Sequence, residues 1–287
     1  MIYYVDVRQA YCYNHGMDNS FIKKLAYDNG FAACFMLPPP DEAVHDDEPN
    51  IVWNAKEYPW VRASALLVWA YKPYPAGERI PSYYINSNLS YHASVAIAKA
   101  LQSEGVECLR AEIPIKQMAV KYGIAEPLRS SLVSVPPFGT RMAFQSMLLG
   151  EPFKDEEYGK PKPSQCGACR ACINACPAHA ISEKGLDVEK CMRFYMDRAD
   201  YPDWVYDIQT THLGCEVCQQ VCPRNAHVPK TLPSDEIREA FDLDSLASGN
   251  TKKARLLVGK NMTGNGKLTK EAVGFKNRMT FHNKPGV

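Results

Sequence analysis

The spacing of the cysteines is the clearest chemical signal in this sequence. Eleven cysteines occur in 287 residues, and eight of them fall between positions 166 and 222. A chain of this length can build its own core, so this density of thiols indicates metal binding rather than a disulfide framework. The segment QCGACRACINACP holds the first group, and GCEVCQQVCP holds a shorter one. The first group is Cys166, Cys169, Cys172 and Cys176, and the second is Cys215, Cys218 and Cys222.

The first group has the spacing C-x2-C-x2-C-x3-C-P, which is that of bacterial ferredoxins. There, three cysteines bind one 4Fe–4S cluster and the cysteine before proline binds the other. Zinc is the alternative, but structural zinc sites usually show two separated pairs of ligands. The second group lacks the first ligand of the pattern, and the nearest further cysteine is Cys191. The sequence therefore predicts two clusters. Cluster 1 takes Cys166, Cys169, Cys172 and Cys222, and cluster 2 takes Cys176, Cys191, Cys215 and Cys218.

The elements before the cysteines alternate between helix and strand. The patterns predict a helix over 19–27, strands over 32–37, 63–71 and 106–109, and a helix around 95–101. We therefore expect an α+β fold, with a sheet domain of α/β type followed by a two-cluster ferredoxin-like module. The expected boundaries are 1–158 for the sheet domain, 159–230 for the cluster module and 231–287 for a basic C-terminal tail packing on the core.

Composition excludes some classes of protein. The net charge is +1, apolar residues make up 46% and charged residues 23%, as in an ordinary globular protein. No apolar run reaches the length of a membrane span, and the N-terminus lacks a secretory signal pattern, so we expect a cytoplasmic protein. Residues 251–287 carry nine Lys or Arg and one acid, Glu271. This tail is predicted to be solvated, to contact phosphate or to dock an acidic partner. Cys12, Cys34 and Cys108 have no metal spacing and are predicted to be structural.

The paired cysteine groups with one displaced ligand resemble those of epoxyqueuosine reductases and the related corrinoid reductive dehalogenases. The resemblance extends over about residues 20–226. IKKLAYDNGFAACFM is similar to that family's first helix and strand, and ASALLVWAYKPY to a following strand. SYHASVAIAKAL resembles the helix that opens with a Tyr-His pair. IPIKQMAVKYGIAEPLRSSLVSVPPFGTRMAFQSML is similar to the family's loop-rich segment ahead of the clusters.

The resemblance implies a cobalamin between the sheet domain and the clusters, which would deliver single electrons to its cobalt. It also implies a ferredoxin or flavodoxin as electron donor, and a small-molecule or nucleoside-like substrate. By motif match, the residues expected to contact the corrin are Tyr122, Gly123, Ser130, Ser131, Phe138, Gly139 and Arg141. The alternative interpretation of these residues is a loop that packs on the sheet.

One departure from the family bears on the substrate. Where the family has an aspartate, its proposed general acid, the segment RAEIP has Ala111. Glu112 or Tyr91 is the candidate proton donor instead. The missing acid argues against epoxyqueuosine in tRNA as the substrate. Two other functions stay open, namely a cobalamin-free electron-transfer protein and a cobalamin-binding redox carrier or activator without a substrate of its own.

Overall fold

A computed structural model describes most of the chain, and its contacts divide the chain into two compact units. The first, here called the sheet unit, comprises Met1–Ala70, Ser90–Glu126 and Ala143–Lys162. The second, the cluster unit, comprises Tyr71–Leu89, Pro127–Met142 and Pro163–Val287. The residues described are 19–40, 54–152, 156–196, 198, 202–260, 264 and 266–282.

These units are not consecutive along the chain. Residues 71–89 and 127–142, expected in the sheet domain, make most of their contacts with the cluster module and the C-terminal segment. The contacts of these two segments, not their position in the sequence, assign them to the cluster unit, because side chains of both form hydrogen bonds with the cluster loops. The linear boundaries 1–158, 159–230 and 231–287 stay a prediction about separately folding parts.

In the described part of the chain from Asn19 to Leu149 there are six strands, three α-helices and two short 3-10 helices, Ala55–Glu57 and Ala76–Glu78. The sheet has four strands in the order β1-β2-β6-β3, and β4 and β5 form a separate pair. β1 pairs antiparallel with β2, with Phe35 opposite Leu66, and β3 pairs antiparallel with β6, with Leu109 opposite Leu148. The bounds are α1 Asn19–Asp28, β1 Ala33–Leu37, β2 Ala63–Ala70, α2 Ser82–Ser103, β3 Cys108–Arg110, α3 Ile115–Lys121, β4 Glu126–Pro127, β5 Val133–Ser134 and β6 Met142–Leu149.

Apolar periodicity explains the core of the sheet unit. β2 and β6 are apolar at nearly every position, and their central residues Leu66, Leu67 and Leu148 are fully buried. Continuous apolar runs of this kind are typical of strands covered on both faces. One core cluster includes α1 through Ile22, α2 through Ile97 and Leu101, and the free thiols Cys34 and Cys108. The predicted structural role of Cys34 and Cys108 agrees with this burial, while Cys12 lies outside the described residues.

The predicted elements of this region are present, with two differences in extent. α2 begins at Ser82 rather than near Tyr91, so Tyr83 and Tyr84 are helical. The sequence hid this start because the tyrosine-rich stretch after the proline loop lacks a clear amphipathic period. β3 covers Cys108–Arg110 rather than 106–109, and Ala111 and Glu112 follow the end of the strand.

The cluster unit is built of short elements after residue 163. The bounds are α4 Ala171–Ala175, β7 Ile181–Ser182, β8 Gly185–Leu186, α5 Asp203–Ile208 and α6 Val217–Gln220, with 3-10 turns at Val188–Lys190, Met192–Tyr195 and Pro223–Asn225. The C-terminal segment adds α7 Asp235–Ala240, α8 Leu243–Ala247, α9 Lys252–Val258 and α10 Lys267–His282.

The basic C-terminal segment is not merely solvated. Phe241, Leu246 and Leu268 are buried in one cluster with Met196 and Leu213 of the cysteine-rich region. Apolar residues on one face of each short helix make this packing, while most of the lysines and arginines face outward. Among the described residues, no helix has both the length and the apolar character that crossing a bilayer requires.

Candidate functional site

The eight predicted ligands lie in loops and at the ends of short helices of the cluster unit. Cys172 is on α4 and Cys176 ends it, while Cys218 is on α6 and Cys222 precedes the last 3-10 turn. Pro177 and Pro223 follow the last cysteine of each group and stop the backbone from continuing as a helix. A backbone N–H group also donates to a predicted ligand sulfur, since Ala180 N lies 3.3 Å from Cys176 Sγ. Such donors stabilise a thiolate bound to iron.

The first set of thiols is defined by their mutual interactions. Burial raises the pKa of the Cys222 thiol, and the nearby Cys166 and Cys169 raise it further. Burial likewise raises the pKa of Cys172, again with Cys166 and Cys169 as neighbours. Cys222 therefore lies near the first three cysteines of the other group. In the sequence it is 46 positions after Cys176 and is the last cysteine of its own group.

The second set is defined in the same way. Burial raises the pKa of the Cys215 thiol to about 11, with added contributions from Cys191 and Cys176. Burial raises the pKa of Cys218 to about 12, and its interacting neighbours include Cys215, Cys191 and Cys176. Cys218 also interacts with Cys172, so the two sets adjoin. Cys218 thus lies near members of both predicted sets, and the role of Cys191 as the displaced ligand of the second set stays a prediction.

The donor chemistry of these two sets fits two 4Fe–4S clusters. All ten described cysteines are free. In the described part of the chain, no three His, Cys, Asp or Glu side chains converge closely enough to ligate one metal ion. Cysteines at ferredoxin spacing suit 4Fe–4S clusters better than single zinc ions, whose structural sites usually take two separated pairs of ligands. Iron binds the thiolate form of cysteine, so cluster assembly must release the thiol protons.

Arg129 is a contact of the first set that the sequence did not indicate. Its guanidinium donates to the carbonyl oxygens of Gly167, over 2.9 Å, and Cys169. It also pairs with Glu183 over 3.0 Å. Its backbone N–H points at Cys166 Sγ over 3.5 Å. No spacing rule links Arg129 to a cysteine 37 positions away, so only the fold identifies it as a residue that shapes this loop.

A buried ion pair supports the second set. Arg141 and Glu216 have side chains 3% and 7% exposed, and Arg141 Nη1 lies 2.6 Å from Glu216 Oε2. The same nitrogen donates to Gln219 Oε1 over 2.8 Å, and Tyr83 N donates to Glu216 Oε1 over 2.8 Å. Glu216 follows Cys215 and Gln219 follows Cys218 in the chain. This network therefore fixes the loop that carries two ligands of cluster 2.

The residues predicted to contact a corrin divide between the two units. Tyr122 and Gly123 are in the sheet unit, where the Tyr122 ring lies 6.0 Å from that of Tyr158. The other five are in the cluster unit, where Ser130 is buried and Ser131 is exposed. The other three there are Phe138, half-buried, and Gly139 and Arg141, both buried.

Gly139 and Arg141 are already engaged within the cluster unit. Arg141 has its buried ion pair, and Gly139 packs against the backbone of Arg224 and the side chain of Asn225. Their placement is thus explained by internal contacts, which do not show a cradle for a ring. That these two residues bind a corrin stays a prediction without support from their surroundings.

Substituting Gly139 with alanine is expected to destabilise the protein and loosen cluster 1. Gly139 has φ +61°, and an added Cβ would lie 2.6 Å from the carbonyl oxygen of Arg224. Both the left-handed backbone and this clash oppose a side chain, at a cost of roughly 1–3 kcal/mol. The measurement is the urea midpoint together with the iron content. Gly77→Ala is the control, because nothing lies within 4 Å of its added Cβ, and equal stability of the two variants would contradict the expectation.

The candidate proton donors lie together in the sheet unit, around Arg110. The guanidinium of Arg110 stacks on the Tyr91 ring at 4.5 Å, and its Nη2 lies 3.7 Å from Glu112. Its Nε donates to Gln145 Oε1 over 3.0 Å, and buried Gln145 is held in turn by Ser90. The Glu112 side chain is 70% exposed and Tyr91 is 41% exposed. The structure thus brings both candidates to one arginine, on an open surface of the unit.

The described residues line one cavity of small-ligand size in the sheet unit. It has a volume of about 350 Å³ and is lined by Met36, Pro38, Tyr122, Glu156, Tyr158 and Gly159. This is at the lower end of the range for small-ligand sites. Its polar groups are already engaged, because Glu156 contacts Lys23 over 2.5 Å, Asn19 over 3.2 Å and the Tyr158 hydroxyl.

Comparison with known proteins agrees with the cysteine chemistry. Residues 165–225 match the model of a 4Fe-4S double cluster binding domain. The epoxyqueuosine reductase of Staphylococcus aureus is 34% identical over 113 residues, which are 38% of this chain and 29% of that protein. That of Synechococcus sp. is 36% identical over 115 residues, 38% of this chain and 35% of that protein. The matched segment thus spans about a third of these curated relatives.

Solved structures extend the likeness to the fold. The structure of epoxyqueuosine reductase from Bacillus subtilis aligns with a TM-score of 0.65 and 16% identity, covering 93% of this chain and 86% of that one. An epoxyqueuosine reductase bound to a tRNA stem loop aligns with a TM-score of 0.66 and 17% identity, covering 89% and 80%. The expected resemblance and the α+β fold are confirmed. Residues 165–225 therefore form a 4Fe–4S double-cluster module, in a chain that has the fold of epoxyqueuosine reductases.

Proposed function

We propose that this protein is an iron–sulfur oxidoreductase whose two clusters pass single electrons to a cobalamin-dependent reduction. The observation that carries the proposal is the match of residues 165–225 to a 4Fe-4S double cluster binding domain, in a segment that holds the cysteines at ferredoxin spacing. Because each cluster borrows a ligand from the other group of cysteines, the clusters must lie close together, which suits electron transfer. A bound cobalamin would supply a low-valent cobalt as the reductant.

The chain's own residues have more limited roles in this proposal. The eight thiolates hold the clusters, Arg129 fixes the loop of the first set, and the Arg141–Glu216 pair fixes that of the second. Tyr91 and Glu112, both beside Arg110, are the proposed proton donors. We propose an acidic ferredoxin or flavodoxin as the electron donor, because the C-terminal segment is basic. The density of free cysteines supports a reducing compartment such as the cytoplasm.

The proposed substrate class rests on Ala111, which stands where the resembled family has its aspartate. One structural relative is bound to a tRNA stem loop, whereas Ala111 here follows the end of β3 and offers no proton. We therefore propose a small or nucleoside-like substrate in preference to tRNA.

The test is reconstitution without oxygen. The purified protein is loaded with iron and sulfide, its iron is counted, and hydroxocobalamin is titrated in while the visible spectrum is recorded. We expect about eight irons for two clusters, and a saturable spectral change on adding cobalamin. Saturable binding with turnover supports the reductase, while binding without turnover of any substrate supports a cobalamin carrier or activator.

An electron-transfer protein without cobalamin is the second candidate. It is favoured by one observation, namely that Gly139 and Arg141 are engaged by Asn225 and Glu216 within the cluster unit. Eight irons without any spectral response to cobalamin would support this candidate and contradict the first.

A further inference from the structure

We propose that Glu271, on the C-terminal helix α10, is a positioning residue for cluster 2. It holds the loop 209–214 that leads into the ligand Cys215. The inference rests on the proposed ligand set, and it assigns a function to the tail in cluster assembly. It also explains why the segment 251–287 carries one acid among nine basic residues.

Glu271 is fully inside the cluster unit and uses both carboxylate oxygens. It is 1% exposed, one oxygen pairs with Arg79, and the other lies 2.7 Å from His212 Nδ1. His212 is itself 4% exposed and stacks on Phe241 of the C-terminal segment, with ring centroids 6.3 Å apart. No pattern in the sequence indicates that this histidine is buried. His212 lies three positions before Cys215.

Arg79 connects the carboxylate to the loop backbone. Its Nη1 donates to the carbonyl oxygens of Gln209 and Thr210 over 3.3 and 3.4 Å, and its own carbonyl accepts from His212 N over 2.8 Å. The Phe275 ring, one turn along α10 from Glu271, covers the guanidinium at 3.7 Å. The loop thus has hydrogen bonds along its length to a single arginine whose charge Glu271 balances.

The residues just before Cys215 are also held by hydrogen bonds. Thr211 Oγ1 lies 2.8 Å from Leu213 O and 2.9 Å from Gly214 O. Directly after Cys215, Glu216 enters the ion pair with Arg141. Cys215 is therefore held between two charge networks, and the one through Glu271 reaches the C-terminal helix. Removing this acid would leave Arg79 buried without its counter-charge, which the loop could relieve only by moving.

The experiment compares the reconstituted full chain with Glu271→Ala and Glu271→Gln. The matched control is Lys276→Ala. Lys276 lies on the same helix as Glu271 and forms an exposed ion pair with Asp244, which this variant removes. The first readout is the rate of iron loss to a chelator without oxygen, since outer-shell changes typically weaken metal binding by about 10–100-fold. We expect iron loss about tenfold faster in Glu271→Ala, an intermediate rate in Glu271→Gln and no change in the control.

Combining Glu271→Ala with variants that lack one cluster tests which cluster the substitution affects. In a Cys191→Ala background, which lacks cluster 2, Glu271→Ala should not accelerate the loss of the remaining iron. In a Cys166→Ala background, which lacks cluster 1, it should accelerate iron loss fully. Equal acceleration in both backgrounds would mean general loosening of the fold and would overturn the proposal.

Amide hydrogen exchange tests the same contact without the clusters. In the apo protein, Glu271→Ala should increase exchange in residues 209–214, while Lys276→Ala should not. If the wild-type protein fails to hold two clusters, the ligand assignment is wrong but this exchange result still decides the role of Glu271. Unchanged exchange in the loop would refute that role.

Discussion

Replacing Cys191 by alanine is expected to remove about half of the bound iron, with the other cluster retained. Cys191 lies 24 residues before Cys215 and has no partner cysteine in its own segment. Its ligand role rests on the displaced spacing and on its position beside Cys176, whose charge contributes to the raised pKa of Cys191. Burial is the larger cause of that shift.

The size of the effect follows from cluster assembly. A 4Fe–4S cluster with three thiolates lacks one corner ligand, and the short loop around Cys191 offers no carboxylate among its immediate neighbours Lys190 and Met192. We therefore expect loss of all four irons of cluster 2 rather than one. The measurement is iron and sulfide content after anaerobic reconstitution, with the spin count of the reduced protein.

A matched control separates ligand loss from the loss of a buried thiol. Cys108→Ala removes a core thiol that is 6% exposed and remote from both sets in sequence, and it should keep the full iron content. Cys222→Ala should also halve the iron, but by removing cluster 1. If Cys191→Ala kept all of its iron, the crossed ligand sets would be wrong.

The chemistry of this protein was readable from sequence, because a ferredoxin run restricts ligand spacing to a few residues. Cys191 is assigned by elimination, since only one further cysteine lies near the incomplete group, and its role as a ligand stays a prediction. The strand β2 was also predictable, because it is a nearly continuous apolar run that suits a covered sheet, whereas β6, interrupted by Gln145 and Ser146, was not assigned as a strand.

The supports of the clusters were not readable in this way. Arg129, Arg79 and Glu271 contact the cysteine loops from distant parts of the chain, and no local pattern marks them. The sequence indicates Arg141 only as a residue of a loop that resembles a cofactor-binding segment, and gives no sign of its ion pair with Glu216. Its contacts with Glu216 depend on bringing 127–142 beside the cluster loop, which only the fold determines.

The second large effect is expected from breaking the Arg141–Glu216 pair. Arg141→Ala should lower the free energy of unfolding by about 3–5 kcal/mol, because it leaves a buried carboxylate without its counter-charge. Glu216 cannot turn to solvent easily, since its other oxygen accepts from Tyr83 N. The measurement is anaerobic urea unfolding of the reconstituted protein, followed by circular dichroism.

A double variant distinguishes loss of the pair from loss of one partner. Arg141→Met combined with Glu216→Leu removes both charges and keeps apolar volume, so it should be destabilised much less than Arg141→Ala. Lys253→Ala is the surface control, since its partner Glu239 is 66% exposed and such pairs contribute only about 0–1 kcal/mol. A double variant as unstable as Arg141→Ala would instead mean that the hydrogen bonds to Gln219 and Tyr83 carry the stability.

Measuring iron loss in variants of both networks separates effects on folding from effects on the clusters. The two networks flank Cys215 on opposite sides, through His212 before it and Glu216 after it. If both act by holding the loop, Arg141→Ala and Glu271→Ala should each speed iron loss from cluster 2, and their effects should not be additive because they act on one loop. Additive effects would mean that the two buried pairs stabilise independent parts of the cluster unit. Non-additivity would show that the ligand loop between them is the common element that both pairs hold in place.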